Sequence, residues 1–310
     1  MTRLRFMVAA SVVILSGAIP AMSQLAQIYA ASESFKELVQ YDYATGKETI
    51  LYDTVGEPDD LIVNSAGQLI YSVPTQGTVN LWDPGTGINT VLTYLDGARD
   101  LIITPDGQNL MIARIDDPPS IWEYNFASGS TSVFFPKTKG ITSMDGLAFD
   151  PYGNFYAVAS KNTIIQLNPQ TGAIINTLVI EPHNGVNGAD GLTYDSYSNS
   201  LWATHLGKVW GGGLLQFPVQ PSGFASTSPG FTFYPLPTVG APDGIKSDGQ
   251  GNLYIGAIHT APVFNIPTQT LVTNPTVKGS DGVALVPGSY PVSIARKHPH
   301  PQPLADGVRE

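Results

Sequence analysis

Six copies of one short motif recur along the chain and constrain its fold more than any other feature. Each copy begins with a polar pair and continues into alternating apolar residues. The copies are Asp59-Asp60-Leu61, Arg99-Asp100-Leu101, Asp145-Gly146-Leu147, Asp190-Gly191-Leu192, Asp243-Gly244-Ile245 and Asp281-Gly282-Val283. Their first residues are 40, 46, 45, 53 and 38 positions apart. Such regular spacing predicts a repeat architecture in which each copy starts one structural unit.

The residues after each motif predict that the unit is a small antiparallel sheet. In the first five copies a turn residue follows eight positions after the first, as at Gly67 and Gly153, and further strand patterns follow it, as over 155–159 and 164–167. Period-two alternation broken by glycine turns is typical of strands joined by hairpins. Four antiparallel strands in roughly 40 to 50 residues form one propeller blade. The sequence therefore predicts an all-β, six-bladed β-propeller with four strands in each blade.

The two ends of the chain are expected to share one blade. The last motif is followed by only its own strand, Asp281 to Pro287, whereas the patterns at 27–30, 38–43 and 49–52 match the second, third and fourth strands of a blade. Pairing of the N-terminal strands with the C-terminal strand would close the ring and remove an exposed sheet edge. We expect a single propeller domain over residues 24–290, followed by a flexible tail at 291–310.

The N-terminus has the features of a signal peptide. Arg3 and Arg5 precede an apolar run, and Ala21-Met22-Ser23 offers a cleavage site before Gln24. We therefore expect residues 1–23 to be removed and the protein to be secreted or periplasmic, with no membrane partner after cleavage. The net charge of −10 disfavours nucleic acid as a partner, and the chain has no cysteine, so disulfides are excluded. We expect a monomer.

The first residue of each motif is the main candidate for function. The first strand of a propeller blade lines the central channel, so these residues should form one ring at its mouth: Asp59, Arg99, Asp145, Asp190, Asp243 and Asp281. Five carboxylates crowded at a low-dielectric mouth repel one another unless they are protonated, separated by water or bound to a cation. Oxygen ligands suit a hard divalent cation, Ca²⁺ above all, with Mg²⁺, Zn²⁺ or Mn²⁺ as alternatives. Arg99 can neutralise one neighbour.

Two further interpretations concern this ring. An Asp repeated in every blade can instead cap backbone N–H groups between adjacent blades, which is a structural role. His205 and His259 end the second strands of adjacent blades and could face the same pocket, where a histidine can act as a general base or bind substrate. A position in a solvent-exposed loop is the alternative for each histidine.

The segment Asp145-Gly146-Leu147-Ala148-Phe149-Asp150-Pro151-Tyr152-Gly153-Asn154, like Pro242-Asp243-Gly244-Ile245, resembles the signature of the regucalcin and gluconolactonase (SMP-30-like) family and of the broader NHL-like propellers. The resemblance implies a metal-dependent opening of sugar lactones. It places metal ligands at Glu57 or Asp59, at Asp190 and at Asp243, and a substrate contact at Asp145. The chain departs from the family in having Asp rather than Asn at 190, and Ser143-Met144 where the family has an Arg.

These observations leave two hypotheses. The first is a secreted metal-dependent hydrolase of a lactone or related cyclic ester. Its metal ligands would come from Asp59, Asp190, Asp243, Asp281 and Glu57, and its catalytic side chains from His205, His259, Asp145 and Arg99. The second is a non-catalytic, NHL-like extracellular propeller that binds a peptide, glycan or small ligand. Both place a small-molecule ligand or substrate at the mouth of the central channel.

Overall fold

A computed structural model of the chain describes residues 25–115, 118–160, 162–180, 188–206, 212–225, 230–277 and 280–289. Its strands form six antiparallel sheets arranged in a ring, each beginning with one copy of the motif. This confirms the predicted all-β, six-bladed propeller. No helix among these residues is long and apolar enough to cross a membrane. The expected signal peptide at 1–23 and the tail at 291–310 lie outside the described residues.

The blades are numbered by their motifs. Blade 1 contains β4 (Leu61–Val63), β5 (Leu69–Val73), β6 (Thr78–Trp82) and β7 (Asn89–Tyr94), with a 3-10 turn at Pro74–Gln76. Blade 2 contains β8 (Ala98–Ile103), β9 (Asn109–Arg114), β10 (Ser120–Asn125) and β11 (Thr131–Phe135). Blade 3 contains β12 (Met144–Phe149), β13 (Phe155–Ala159), β14 (Thr163–Leu167) and β15 (Ile174–Val179).

The second half of the ring includes the largest blade and the closing blade. Blade 4 contains β16 (Ala189–Asp195), β17 (Ser200–His205), β18 (Gly212–Gln220) and β20 (Thr232–Leu236), with the short β19 (Gly223–Phe224) paired to the end of β18. Blade 5 contains β21 (Pro242–Ser247), β22 (Asn252–Ala257), β23 (Val263–Asn265) and β24 (Thr270–Thr273). Blade 6 contains β25 (Ser280–Leu285), β1 (Ile28–Ser32), β2 (Glu37–Asp42) and β3 (Lys47–Asp53).

The two ends of the chain close the ring as the sequence predicts. In blade 6, β25 pairs antiparallel with β1, and Tyr29 stands opposite Ala284. The Gly282 amide then donates a hydrogen bond of 2.8 Å to the Asp59 carbonyl, which joins blade 6 to blade 1. Strand β25 is therefore paired with β1 on one side and bonded to blade 1 on the other. The ring is thus closed at the point where the two ends of the chain meet.

The hydrophobic core lies between blades. The third residue of each motif points into these interfaces, and all six are buried: Leu61, Leu101, Leu147, Leu192, Ile245 and Val283. Trp202 of blade 4 is fully buried and packs in one cluster with Leu253 and Phe264 of blade 5. Burial of side chains shared by neighbouring sheets is the main source of stability in a chain without disulfides.

A β-bulge occurs at the first two positions of every motif. In blade 3, Met144 pairs with Ala159 and Leu147 with Ala157, so Asp145 and Gly146 together oppose Val158 alone. The same shift occurs in blades 2, 4, 5 and 6, and in blade 1 both Asp59 and Asp60 hydrogen-bond to Ser72. A bulge re-aims side chains that would otherwise alternate across the strand. Consecutive motif residues therefore both reach the channel.

Candidate functional site

The bulges gather the first-position residues around one mouth of the channel. A cavity of about 160 Å³ at this mouth is lined by Asp59, Arg99, Asp145, Asp190 and Asp243, together with the second residue of each motif. Asp281 stands beside the cavity and interacts electrostatically with Asp243 and Asp59. The structure thus brings the six first-position side chains to a common axis, as the repeat pattern indicates.

Arg99 is the one basic member of this ring. Its Nη1 forms an ion pair and hydrogen bond with Oδ2 of Asp59 in the neighbouring blade. Burial disfavours the guanidinium charge, but Asp59 and Asp243, followed by two further ring carboxylates, outweigh that effect and raise the pKa of Arg99. A single guanidinium therefore serves as a cation built into the ring and partly offsets five acids.

Three of the ring acids hold protons more tightly than isolated carboxyls. Burial raises the pKa of Asp59 well above its ordinary value, although Arg99 pulls it down. Burial, opposed by Arg99 and reinforced by Asp145, raises the pKa of Asp243 to about 6. Burial and a hydrogen bond with Glu33 raise the pKa of Asp281 to about 9. Protonation of some members is thus one way in which the mouth limits its own repulsion.

Inter-blade capping is present, and it comes from the second position of the motif. Asp60 Oδ2 accepts a hydrogen bond of 3.0 Å from the Leu101 amide, and Asp100 Oδ2 accepts one of 2.6 Å from the Leu147 amide. Each carboxyl thereby ties its own blade to the first strand of the next. Burial and the nearby Asp60 raise the pKa of Asp100 well above its ordinary value.

In the other four blades the second position is glycine, because the next blade lies against it. A Cβ built on Gly191 would stand 2.3 Å from the Asp243 carbonyl oxygen. The corresponding distance from Gly146 to the Asp190 carbonyl oxygen is also 2.3 Å, and from Gly244 to that of Asp281 it is 2.7 Å. Real Cβ atoms do not approach backbone this closely, so these positions require glycine for spacing.

The structure does not place the two histidines at the mouth. His205 is 2% exposed, and its Nδ1 donates a hydrogen bond of 2.8 Å to the Gly188 carbonyl while its ring packs edge-on against Phe233. Burial lowers the pKa of His205. His259 is exposed in a turn with a φ of 64°, and its carbonyl accepts the Val277 amide. Neither lines the mouth cavity, and Glu57, which is half-buried, does not line it either.

The ring carries the ligand atoms that suit a hard cation. Carboxylate oxygen is the ligand type that Ca²⁺ prefers. Among the described residues, no three acidic or histidine side chains are grouped so that they could hold a metal ion. Arg99 stands among the ring carboxylates and already interacts with four of them. The expected metal centre therefore stays a prediction.

Three residues that the motif pattern does not predict also shape the site. Glu33, in the turn after β1, meets Asp281 because the N-terminal strands complete blade 6. Asp100 occupies the second position of its motif, whereas the repeat pattern singles out the first position, Arg99. Lys246, at the fourth position of its motif, points into the channel with its Nζ 4.0 Å from Asp60 Oδ2. The signal that could have revealed Lys246 is a lone charge in an otherwise uncharged column of the aligned motifs.

Comparisons with known proteins support the fold and nothing more specific. Neither protein-family models nor curated proteins give a match to this sequence. By structure, 1657 chains match, so the architecture is widely shared. One chain in the crystal structure of a nidogen/laminin complex is similar to this protein with a TM-score of 0.67 and 13% sequence identity, over 84% of this chain and 98% of its own length. At that identity the likeness shows the propeller fold alone.

Proposed function

We propose that this chain is a secreted or periplasmic binding propeller whose channel mouth takes up one positively charged group of a small ligand or peptide. The observation that carries the proposal is the charge balance of the mouth, where five first-position carboxyls face a single guanidinium. A cation entering this ring lets the buried acids ionise without mutual repulsion. The free energy of that relief is the source of affinity.

The size and chemistry of the mouth define the ligand group. A cavity of about 160 Å³ is smaller than the roughly 300 Å³ at which pockets for drug-sized molecules begin. It suits one ammonium or one ion better than a whole sugar. Asp60 is buried at this mouth and adds its carboxyl oxygens to those of the first-position ring. An ammonium, with three N–H donors, satisfies such an acceptor and a ring carboxylate together.

Calorimetry with n-butylammonium, and with butan-1-ol as an uncharged control of the same shape, tests this proposal. We expect one butylammonium per chain, no binding of the alcohol, and tighter binding at about pH 8 than at about pH 5.5, because the ligand competes with protons on the ring acids. Replacement of both Asp190 and Asp243 by Asn should weaken binding by about tenfold or more. Asp106→Asn, in an exposed hairpin, is the matched control. Equal binding of amine and alcohol would refute the proposal.

A second candidate function is the metal-dependent hydrolysis of a lactone or related cyclic ester, as in gluconolactonase-type propellers. The observation that favours it is the pKa of Asp243, which burial raises to about 6 against the opposing effect of Arg99. A carboxyl that titrates near neutrality can both accept and release a proton during turnover. In this version Asp145, Asp243 and Arg99 form the catalytic group, and the two histidines take no part because they lie away from the mouth.

A lactone panel with added Ca²⁺, Mg²⁺, Zn²⁺ or Mn²⁺ separates the two functions. The hydrolase hypothesis expects turnover that chelation abolishes and that Asp243→Asn reduces by at least roughly a hundredfold. The exposed variant Asp106→Asn should retain full activity. Butylammonium binding without turnover on any lactone would leave the binding function as the sole role. Chelator-sensitive turnover would instead show that a metal completes the ring in solution.

A further inference from the structure

The channel has a second cavity at its other end, with a different chemistry. It measures about 420 Å³ and is lined by the fourth residue of every motif: Ile62, Ile102, Ala148, Thr193, Lys246 and Ala284. These side chains face the channel because they lie two residues beyond the second position, and side chains two apart share a strand face. Five of the six carry no charge. We call this space the far cavity.

The walls of the far cavity are more apolar than polar, and its volume suits a small molecule. Beside the fourth-position ring stand fifth-position residues such as Val63, Ile103 and Phe149. Alanine at 148 and 284, on opposite blades, leaves space beside the two isoleucines. Binding sites for small molecules are commonly concave, about 300 to 1,000 Å³ in volume, and mostly apolar with a few placed polar groups. The far cavity has each of these properties.

Among the described residues that line the far cavity, Lys246 has the one charged side chain. It extends from blade 5 across the channel towards Asp60 of blade 1 and Asp100 of blade 2, the blade opposite its own. Burial disfavours its charge, but Asp60 and Asp100 outweigh this effect and raise the pKa of Lys246. The ammonium thus separates the acidic mouth from the far cavity.

The ammonium has donors to spare. Its Nζ lies 4.0 Å from Asp60 Oδ2, beyond hydrogen-bond distance, and no other acceptor among the described residues is bonded to it. An ammonium carries three N–H donors. The carboxyls of Asp60 and Asp100 already face its charge, and the acidic mouth beyond them disfavours an anionic ligand. The matching ligand is therefore neutral.

We propose that the far cavity is a second binding site, for an uncharged, largely apolar small molecule with one ketone, ester or hydroxyl oxygen that accepts a hydrogen bond from Lys246. The apolar body lies against the isoleucine and alanine positions of the fourth-position ring. The oxygen lies at the inner end of the cavity. Asp60 and Asp100 line the mouth and also face Lys246, and the dye experiments below test the far cavity separately from the mouth.

The ketone dye 6-propionyl-2-(dimethylamino)naphthalene is a suitable probe, because its fluorescence shifts to shorter wavelength in apolar surroundings. We expect one dye per chain. Thr193→Trp, which places an indole inside the far cavity, should weaken binding by about tenfold or more through loss of space. Ile175→Trp, on the exposed outer strand of blade 3, is the matched control and should bind as the unaltered protein does. Asp243→Asn at the mouth should also leave dye binding intact.

The role of Lys246 is tested with 2-(dimethylamino)naphthalene, which lacks the ketone. Lys246→Met should weaken binding of the ketone dye by roughly tenfold, because a hydrogen bond from a charged donor is lost, and should change binding of the ketone-free dye less than threefold. If Lys246→Met does not fold, the unaltered protein must still bind the ketone dye about tenfold more tightly than it binds the ketone-free dye. Absence of dye binding, or binding unaffected by Thr193→Trp, would overturn the site. Equal loss of both dyes would overturn the role of Lys246.

Discussion

Two groups of blades, which we call the Asp blades (1 and 2) and the glycine blades (3 to 6), join to the next blade by different means at the same motif position. Blades 1 and 2 carry Asp at the second position, and each carboxyl accepts the amide of the following blade. Blades 3 to 6 carry glycine, and the backbones of neighbouring blades touch directly. A side-chain hydrogen bond and direct backbone packing are thus two ways in which this ring joins neighbouring blades.

The choice has consequences for the channel. A glycine adds no charge, whereas Asp60 and Asp100 add two buried carboxyls beneath the acidic mouth. A buried carboxyl is unfavourable unless it is paired or protonated. Lys246, which comes from one of the glycine blades, supplies the opposite charge across the channel. The Asp blades and the glycine blades are therefore coupled by electrostatics as well as by the ring of strands.

The largest expected effect on stability comes from a substitution in the glycine blades. Gly191→Ala should destabilise the protein by about 3 kcal/mol, since the new Cβ would stand 2.3 Å from the Asp243 carbonyl oxygen and only movement of backbone can relieve the clash. Gly240→Ala is the matched control, because a Cβ there meets nothing within 4 Å. Thermal unfolding followed by circular dichroism measures both. Equal melting temperatures would show that the blade boundary is not tightly packed.

A smaller effect on stability is expected from a substitution in the Asp blades. Asp100→Ala leaves the buried Leu147 amide without its acceptor and should cost about 1–3 kcal/mol. Asp100→Asn keeps an acceptor oxygen and resembles the protonated acid that the raised pKa favours, so it should cost less than half as much. Denaturant unfolding distinguishes the two variants. If Asn is as damaging as Ala, the negative charge, rather than the cap, is what Asp100 contributes.

The fold could be predicted from the sequence because its signal is repeated six times. Each motif places a buried Leu, Ile or Val at its third position, and the missing strands of the last unit are supplied by the N-terminal segment. The bulge at the first two positions was not predictable in the same way. Nothing in Asp145-Gly146 differs in pattern from an ordinary strand start, and only the register with β13 reveals the extra residue.

The candidate site was predictable as a ring and not as a mechanism. Equivalence of positions suffices to bring Asp59, Asp190 and Asp243 together. The outcome for His205 depended on side-chain direction, which is set by the pairing of Ala189 with His205 and by the Gly188 carbonyl. Lys246 was missed because its partners come from blades on the far side of the channel, a relation that no local pattern encodes.

The smallest expected effect concerns the first-position acids of the glycine blades and the pH dependence of stability that they cause. The raised pKa values of Asp243, to about 6, and Asp281, to about 9, mean that the folded protein binds these protons more tightly than the unfolded chain, whose carboxyls titrate near their ordinary value. Their stabilising contribution is complete below that ordinary value and is lost as the pH rises through about 6 and then about 9. The melting temperature should therefore fall between pH 5 and pH 9.

Asp281→Asn, which cannot ionise, should reduce that fall by about 2–4 °C. Asp106→Asn should leave it unchanged, because hydrogen bonds from Thr104 and Gln108 lower the pKa of Asp106 and it is fully ionised across the interval. A melting temperature that rises towards pH 9 would show that an ion or Arg99, rather than protons, neutralises the mouth.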